Sequence, residues 1–134
     1  MNPKQTIYLA GPMLGYTNRE MNGWREQVID KLKSSYEFFN PTRRIYQLNN
    51  DSTIVNGDKD DINKSQIILV NHTKPSDGTA MEIIYSWERN KIILTVVHGE
   101  YSPWISYHSN YLFKSLEEAI QHLNTMRVEY EQNT

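Results

Sequence analysis

Two short apolar runs constrain the fold of this chain more than any other feature. Residues 66–70 (Gln-Ile-Ile-Leu-Val) and 91–97 (Lys-Ile-Ile-Leu-Thr-Val-Val) have the length of strands and an almost continuous apolar character. Such runs are typical of strands that are buried on both faces of a parallel sheet. Parallel strands cannot be joined by tight hairpins, so helices usually connect them. We therefore predict a layered α/β structure.

Strand-like and helix-like segments alternate along the rest of the chain. Further strands are predicted at 6–10, 36–39 and 111–113, and helices at 17–33, 58–64, 78–90 and 115–126. This alternation predicts one α/β domain, a flavodoxin-like (Rossmann-like), doubly wound parallel sheet of five strands with helices on both faces. In such a sheet the ligand crevice lies at the carboxyl ends of the strands.

Three segments are predicted to lack regular structure. They are a polar loop at 42–57, an aromatic-rich loop at 99–110 and a frayed tail at 128–134. The single domain is therefore expected to span residues 1–134, with its last ordered helix ending shortly before the tail.

Composition excludes several functional classes. The chain has 134 residues, a net charge of −2 and no cysteine, which excludes a disulfide scaffold, a zinc ribbon and a thiol nucleophile. Its four histidines lack metal-ligand spacing, so we expect no metal and no cofactor. A slightly acidic chain is a poor partner for nucleic acid. Without a signal-peptide pattern or a membrane-length apolar run, we expect a soluble cytoplasmic domain that binds no membrane.

The junction after the first strand is rich in glycine. Gly11-Pro12-Met13-Leu14-Gly15 would let backbone N–H groups approach a ligand, although its spacing is neither a dinucleotide fingerprint nor a P-loop. A tight turn explains the same residues. Tyr8, just before it, would more often be a core aromatic residue than a catalytic hydroxyl.

Acidic residues mark two later junctions. Asp58 opens the run Asp-Lys-Asp-Asp, which a solvated helix start would explain more simply than a site. In Ser-Asp-Gly-Thr-Ala-Met-Glu, Asp77 is placed to cap a helix and Glu82 lies within its first two turns. There the helix dipole favours an ionised carboxylate, which could be a nucleophile or an ordinary surface glutamate.

Taken together, these segments resemble the nucleoside 2-deoxyribosyltransferase family. The resemblance covers residues 6–123, and its most distinctive part is the motif that ends at Glu82. The matching segments are 7–12, Asp58 with Ile62, 76–83, 91–93 and 113–120.

The resemblance implies a covalent glycosyl transfer. Glu82 would attack C1′ of a deoxyribonucleoside, Asp58 would protonate the departing base, and Tyr8 would orient Glu82. Asp77 would accept a hydrogen bond from a sugar hydroxyl. The other substrate-binding residues that it implies in this half of the site are Gly11, Pro12, Met13 and Gly78.

The family usually completes the site from a neighbouring subunit, often through an asparagine after the fourth strand. No asparagine occupies the matching place here, and the candidates in the aromatic loop are Ser102, Ser106 and His108. This loop could be buried against the body, stack on a base or form a subunit contact, and we favour the contact. The resemblance thus implies a homo-oligomer, a dimer or larger, with shared active sites.

Asp77 bears on the choice of substrate. Relatives that hydrolyse nucleoside 5′-monophosphates typically have a serine there, and a carboxylate would repel a phosphate. We therefore expect a free nucleoside as donor and a free nucleobase or water as acceptor. The alternatives are a deoxynucleoside 5′-monophosphate N-glycosidase, an NAD or nucleotide glycohydrolase, and a non-catalytic nucleotide-binding module.

Overall fold

The computed structural model describes residues 3–44 and 50–132, with side chains described as far as residue 127. A 3₁₀ turn at Pro41–Arg43 follows the second strand. None of the helices in these two ranges is long and apolar enough to cross a membrane. In chain order the strands and helices are β1 (Gln5–Ala10), α1 (Asn18–Leu32), β2 (Tyr36–Phe39), α2 (Asp51–Asn63), β3 (Ile67–His72), α3 (Asp77–Glu88), β4 (Ile92–Val97), α4 (Pro103–Tyr107), β5 (Tyr111–Phe113) and α5 (Leu116–Gln132).

The five strands form one parallel sheet in the order β2-β1-β3-β4-β5. Ile67 of β3 pairs with Ile7 of β1 on one side and with Ile92 of β4 on the other. The order along the chain reverses between β1 and β3, because β2 lies outside β1. The predicted flavodoxin-like topology is confirmed, and it leaves a crevice at the carboxyl ends of β1 and β3.

Successive residues of the central strands point into two separate cores. Ile7 and Leu9 of β1 pack in the core under α1 and α5, whereas Tyr8 and Ala10 pack in the core under α2, α3 and α4. All four side chains are fully buried. This arrangement explains the continuous apolar runs, because each residue of a central strand meets a helix layer. It also points the Tyr8 side chain towards α2 and α3.

The start of the second helix departs from the sequence prediction. Helix α2 begins at Asp51 instead of residue 58, because the Asn50 side chain caps it by accepting a hydrogen bond from the Thr53 N–H at 2.9 Å. Few apolar residues mark this first part of the helix, so it shows little helical periodicity. The remainder of the predicted loop at 45–49 lies outside the described residues.

The last two helices also depart from the prediction. Helix α4 lies within the predicted aromatic loop, with Ser102 as its N-cap and Pro103 at its first position. Helix α5 runs to Gln132, so the predicted tail from residue 128 is wrong over most of its length. No glycine or proline follows Met126 to stop the helix. Residues 133–134 lie outside the described residues.

A fully buried arginine holds the loop after β1 in place. Arg25 of α1 donates hydrogen bonds from Nε to the Leu9 carbonyl (3.2 Å), from Nη2 to the Gly11 carbonyl (3.1 Å) and from Nη1 to the Met21 carbonyl (2.6 Å). Its guanidinium also lies 4.5 Å from the ring centroid of Trp24. The charge is thus surrounded by carbonyl oxygens and an aromatic face, which makes its burial tolerable.

The variant Arg25→Met is expected to lower the free energy of unfolding by about 3 kcal/mol, because each buried carbonyl left without a donor costs roughly 1–3 kcal/mol. Urea denaturation followed by circular dichroism measures the loss. The matched control is Arg19→Met on the exposed side of the same helix. Equal stabilities for the two variants would contradict the anchoring role of Arg25.

Candidate active site

A cavity of about 680 Å³ opens at the carboxyl ends of β1 and β3. Its volume is within the range of small-molecule sites, and its position is the point where strand order reverses. Three segments line it: the loop after β1 at residues 11–14, the inner face of α2 between Val55 and Ile62, and residues 74–85 from the loop after β3 and from α3.

Three polar groups from different elements meet at this cavity. The hydroxyl of Tyr8, at the buried end of β1, donates a hydrogen bond to Glu82 Oε2 on α3. Asp58 projects from α2, and its charge raises the pKa values of both Tyr8 and Glu82. Asp58 and Glu82 both line the cavity, while Tyr8 supports Glu82 from the core. The structure thus brings the three predicted catalytic residues together.

Burial dominates the electrostatics of this cluster. Desolvation raises the pKa of Glu82 to about 8, although the Tyr8 hydrogen bond opposes the rise. Desolvation also raises the pKa of Asp58 to about 6, against the lowering effect of Arg44. The helix dipole favours the ionised form of Glu82 only weakly, because Glu82 lies in the second turn of α3, and desolvation outweighs it.

The two carboxyl groups share one proton over the neutral range. At a pH between about 6 and about 8 the pair carries a single negative charge, and the two values belong to the coupled pair as a whole. One carboxylate and one carboxylic acid facing the same cavity can supply a nucleophile and a proton donor. Tyr8, whose pKa is raised by burial, stays protonated and remains a donor.

The start of α3 differs from the prediction by one residue. Ser76, not Asp77, is the N-cap, and its hydroxyl accepts a hydrogen bond from the Thr79 N–H at 3.4 Å. Asp77 is the first residue of the helix, is exposed and lines the cavity. Lys74 lines the same wall and donates from Nζ to the Leu14 carbonyl at 3.1 Å.

The other predicted binding residues of this half-site also line the cavity: Gly11, Pro12, Met13 and Gly78. Position 11 requires glycine because neighbouring atoms of the protein leave no room for a Cβ. A Cβ there would lie 3.0 Å from the Asn71 carbonyl oxygen and 3.0 Å from Trp24 Cζ2. A Cβ at Gly78 would meet no atom within 4 Å.

The predicted residues of the aromatic loop lie elsewhere. Ser102 caps α4, the Ser106 hydroxyl donates to the Pro103 carbonyl at 3.2 Å, and His108 Nδ1 donates to the Trp104 carbonyl at 2.7 Å. None of the three predicted residues lines the cavity of its own chain. Their assignment to a partner's site therefore stays a prediction.

The structure reveals cavity neighbours that the sequence did not indicate. Arg44 follows the 3₁₀ turn after β2 and donates from Nη1 to Asp58 Oδ1 at 2.8 Å and from Nη2 to Asp61 Oδ2 at 2.6 Å. The sequence feature that could have indicated Arg44 is its position shortly after the carboxyl end of a predicted strand, where parallel sheets bind ligands. Tyr85 lines the cavity one helical turn after Glu82, a spacing that predicts a shared face.

Within residues 3–44 and 50–132, no group of three or more His, Asp or Glu side chains is arranged to hold a metal ion. The chain contains no cysteine that could contribute a thiolate ligand.

Comparison with known families explains this combination of fold and cavity. The model of a family described as nucleoside 2-deoxyribosyltransferase matches residues 7–129. The chain belongs to the nucleoside 2-deoxyribosyltransferase family. It is thus an enzyme, and its family supports nucleoside deoxyribosyltransferase or N-glycosidase activity on small molecules. No match was found among curated proteins.

Solved structures of similar fold include members of this family. A 2-desoxiribosyltransferase from Leishmania mexicana is 22% identical with a TM-score of 0.69, over 90% of this chain and 96% of that one. A CMP N-glycosidase from Clostridium botulinum is 19% identical with a TM-score of 0.66, over 91% and 99%. A conserved protein from Enterococcus faecalis is 13% identical with a TM-score of 0.74, over 92% and 99%. At these identities the likeness establishes the fold.

The raised pKa of Glu82 makes a prediction about stability. Wild-type stability should fall as pH rises from about 4.5 to about 8, because the folded state holds a proton that the unfolded chain releases more readily. Glu82→Gln keeps an acceptor for Tyr8 and has no charge to bury. Its melting temperature should therefore exceed that of the wild type by several degrees at pH 8.5, and by less at pH 5.

Differential scanning fluorimetry at both pH values measures this difference. The matched control is Glu88→Gln, an exposed position at the end of the same helix. A Glu82→Gln advantage that does not grow with pH would show that Glu82 ionises normally in the fold.

Proposed function

We propose that this enzyme cleaves the N-glycosidic bond of 2′-deoxyribonucleosides and transfers the deoxyribosyl group to another nucleobase or to water. The observation that carries the proposal is the Tyr8–Glu82 hydrogen bond beside Asp58 in the cavity. Family membership supports the reaction class. The geometry supports a specific division of roles between the two carboxyl groups.

In the first half-reaction the Glu82 carboxylate attacks C1′ while the bond from C1′ to the base nitrogen breaks. Asp58 donates its proton to the departing base, which would otherwise leave as a poor anionic leaving group. The negative charge of Glu82 stabilises the oxocarbenium-like transition state before the glycosyl–oxygen bond is complete. The product is a covalent glycosyl-enzyme.

In the second half-reaction an incoming base or water attacks C1′ and Glu82 leaves as a carboxylate. Asp58 takes up the proton that the acceptor loses, which restores the starting state. Tyr8 donates to Glu82 throughout and holds the carboxylate in one orientation. The pKa values place the shared proton mainly on Glu82 at rest, so it moves from Glu82 to Asp58 before the attack. The reactive form carries the proton on Asp58, and each turnover conserves it.

Asp77 supports a free nucleoside as the substrate. It places a carboxylate at the N-terminal end of α3, where backbone N–H groups would otherwise favour a phosphate. The second candidate is a nucleoside 5′-monophosphate. Lys74 on the same wall favours it, as does the structural similarity to an enzyme that acts on CMP. Residues of a neighbouring subunit, Ser102, Ser106 and His108, are proposed to complete the site of a homo-oligomer.

A chromatographic base-exchange assay tests the function. The enzyme is incubated with deoxyinosine, thymidine, their 5′-monophosphates, inosine or NAD, each with and without adenine. We expect a new deoxyadenosine peak from the deoxyribonucleosides, and Glu82→Gln should reduce the rate by about a hundredfold or more. Free base without exchange would indicate a hydrolase, and cleavage confined to inosine or NAD would overturn the deoxyribosyl assignment. No cleavage in any reaction would favour a binding module.

The pH dependence of kcat/KM in the same assay should be bell-shaped, with limbs near pH 6 and pH 8. Below the lower limb both carboxyl groups are protonated, so Glu82 cannot attack. Above the upper limb both are ionised, so Asp58 has no proton to give to the base. A profile that is flat from pH 5 to 9 would contradict the pairing of these groups.

Replacing Asp77 with serine should shift the ratio of kcat/KM towards 5′-monophosphates by on the order of tenfold, which corresponds to about 1.4 kcal/mol. The reason is the removal of a negative charge from the cavity wall. The matched control is Asp60→Ser, an exposed position on α2 that does not line the cavity. An unchanged ratio in Asp77→Ser would remove Asp77 as the determinant of substrate charge.

A further inference from the structure

One arginine outside the cavity lining joins two acidic residues of α2. The guanidinium of Arg44 spans Asp58 and Asp61, with one nitrogen on each carboxylate at 2.8 and 2.6 Å. Each of the three side chains is largely shielded, with 23% of Arg44 and 15% of each aspartate exposed. A planar guanidinium held at two points fixes the orientation of both partners.

A glycine in the middle of α2 lets this arginine lie close to the helix backbone. A Cβ at Gly57 would overlap Arg44 Nε and would lie 2.8 Å from Arg44 Cζ and 2.9 Å from Nη2. Glycine in a helix interior is unfavourable compared with alanine, and at position 57 the contact with Arg44 supplies a reason for it, whereas a Cβ at Gly23 in α1 would meet no atom within 4 Å. The reason is that any side chain at position 57 would occupy the place of the guanidinium.

We propose that Arg44 is a positioning residue for Asp58, held across α2 by Asp61 and admitted by Gly57. The proposal rests on the function proposed above, in which Asp58 is the proton donor. Asp58 carries its carboxyl group at the cavity wall, and one of its oxygens is engaged by Arg44. Arg44 thereby restricts rotation of the Asp58 carboxyl group, which also has a hydrogen bond with Tyr8. Loss of Arg44 should therefore lower kcat more than it raises KM.

The charge of Arg44 should also act on the proton that the carboxyl pair shares. The groups that face Asp58 are Arg44, Asp61 on its own helix, Tyr8 from β1 and Glu82 from α3. Arg44 is the cation among them, and it lowers the pKa values of both Asp58 and Glu82. Without it both limbs of the pH profile should move to higher pH, the lower limb by about one unit.

The test compares Arg44→Ala, Arg44→Lys, Gly57→Ala and the double variant Arg44→Ala/Gly57→Ala. The matched control is Gly23→Ala in α1, where a Cβ would meet nothing within 4 Å. Each variant is measured for kcat, KM and pH profile in the base-exchange assay. The pKa of Asp58 is measured independently by NMR titration of protein labelled with ¹³C at the aspartate carboxyl carbons, with Asp58→Asn to assign its signal.

We expect Arg44→Ala to lower kcat about tenfold with less than a threefold change in KM, and to raise the pKa of Asp58 by about one unit. Arg44→Lys keeps the positive charge but lacks the planar guanidinium that contacts both aspartates. Its pH profile should therefore stay near that of the wild type, while kcat remains reduced. Gly57→Ala should resemble Arg44→Ala without a lower melting temperature, because alanine favours the helix. In the double variant the alanine at position 57 should cause no further loss of kcat beyond that of Arg44→Ala. Gly23→Ala should leave kcat, KM and the pH profile unchanged.

Two results would overturn the proposal. One is an Arg44→Ala enzyme whose kcat and Asp58 pKa both match the wild type. The other is additive losses in the double variant, which would show that Gly57 acts independently of Arg44. A wild-type enzyme that cleaves no glycosidic bond would instead overturn the proposed function, and the NMR titration would still decide whether Arg44 controls the Asp58 carboxyl group.

Discussion

The hydrogen bond from Tyr8 to Glu82 connects the sheet to the cavity, and much of the site depends on it. Tyr8 is fully buried in the interior strand β1, so its hydroxyl cannot move without disturbing the core. Glu82 lies on α3, which packs on the same face of the sheet. The carboxylate is therefore held by the most rigid part of the fold rather than by a loop. This is the kind of support that a nucleophile needs if it must meet one carbon atom of a sugar.

Burial also makes it costly to ionise the two carboxyl groups, Asp58 and Glu82, and the surrounding residues reduce this cost. Two carboxyl groups in a partly dry cavity cannot both be ionised at low cost, so their pKa values rise and they share a proton. Tyr8 stabilises the ionised form of one of them, and Arg44 stabilises the ionised form of the other. The charge of Arg25 also lowers the pKa of Glu82, so one hydroxyl and two guanidinium groups stabilise the ionised forms of the pair. The resulting pair suits a reaction that needs one carboxylate and one acid in the same turnover.

The loop after β1 shows how an apparent ligand-binding signal can arise from packing. Gly11 packs against the Asn71 carbonyl and Trp24, and Arg25 donates a hydrogen bond to the Gly11 carbonyl. The loop lines the cavity because it is held down onto the core, and the glycine is needed for that contact. A sequence pattern alone does not distinguish a glycine that admits a ligand from one that admits the protein's own backbone and side chains.

The sequence by itself determined the sheet, its parallel topology and the identity of the acidic residues at the junctions. Apolar periodicity reports burial directly, and strands such as β2 and β5 are bounded as predicted. Only the tertiary structure decided that Arg44 meets Asp58, that the polar start of α2 is helical, and that burial outweighs the helix dipole at Glu82. These features depend on distances between residues far apart in the chain and on the exclusion of water. Neither quantity is encoded in local sequence patterns.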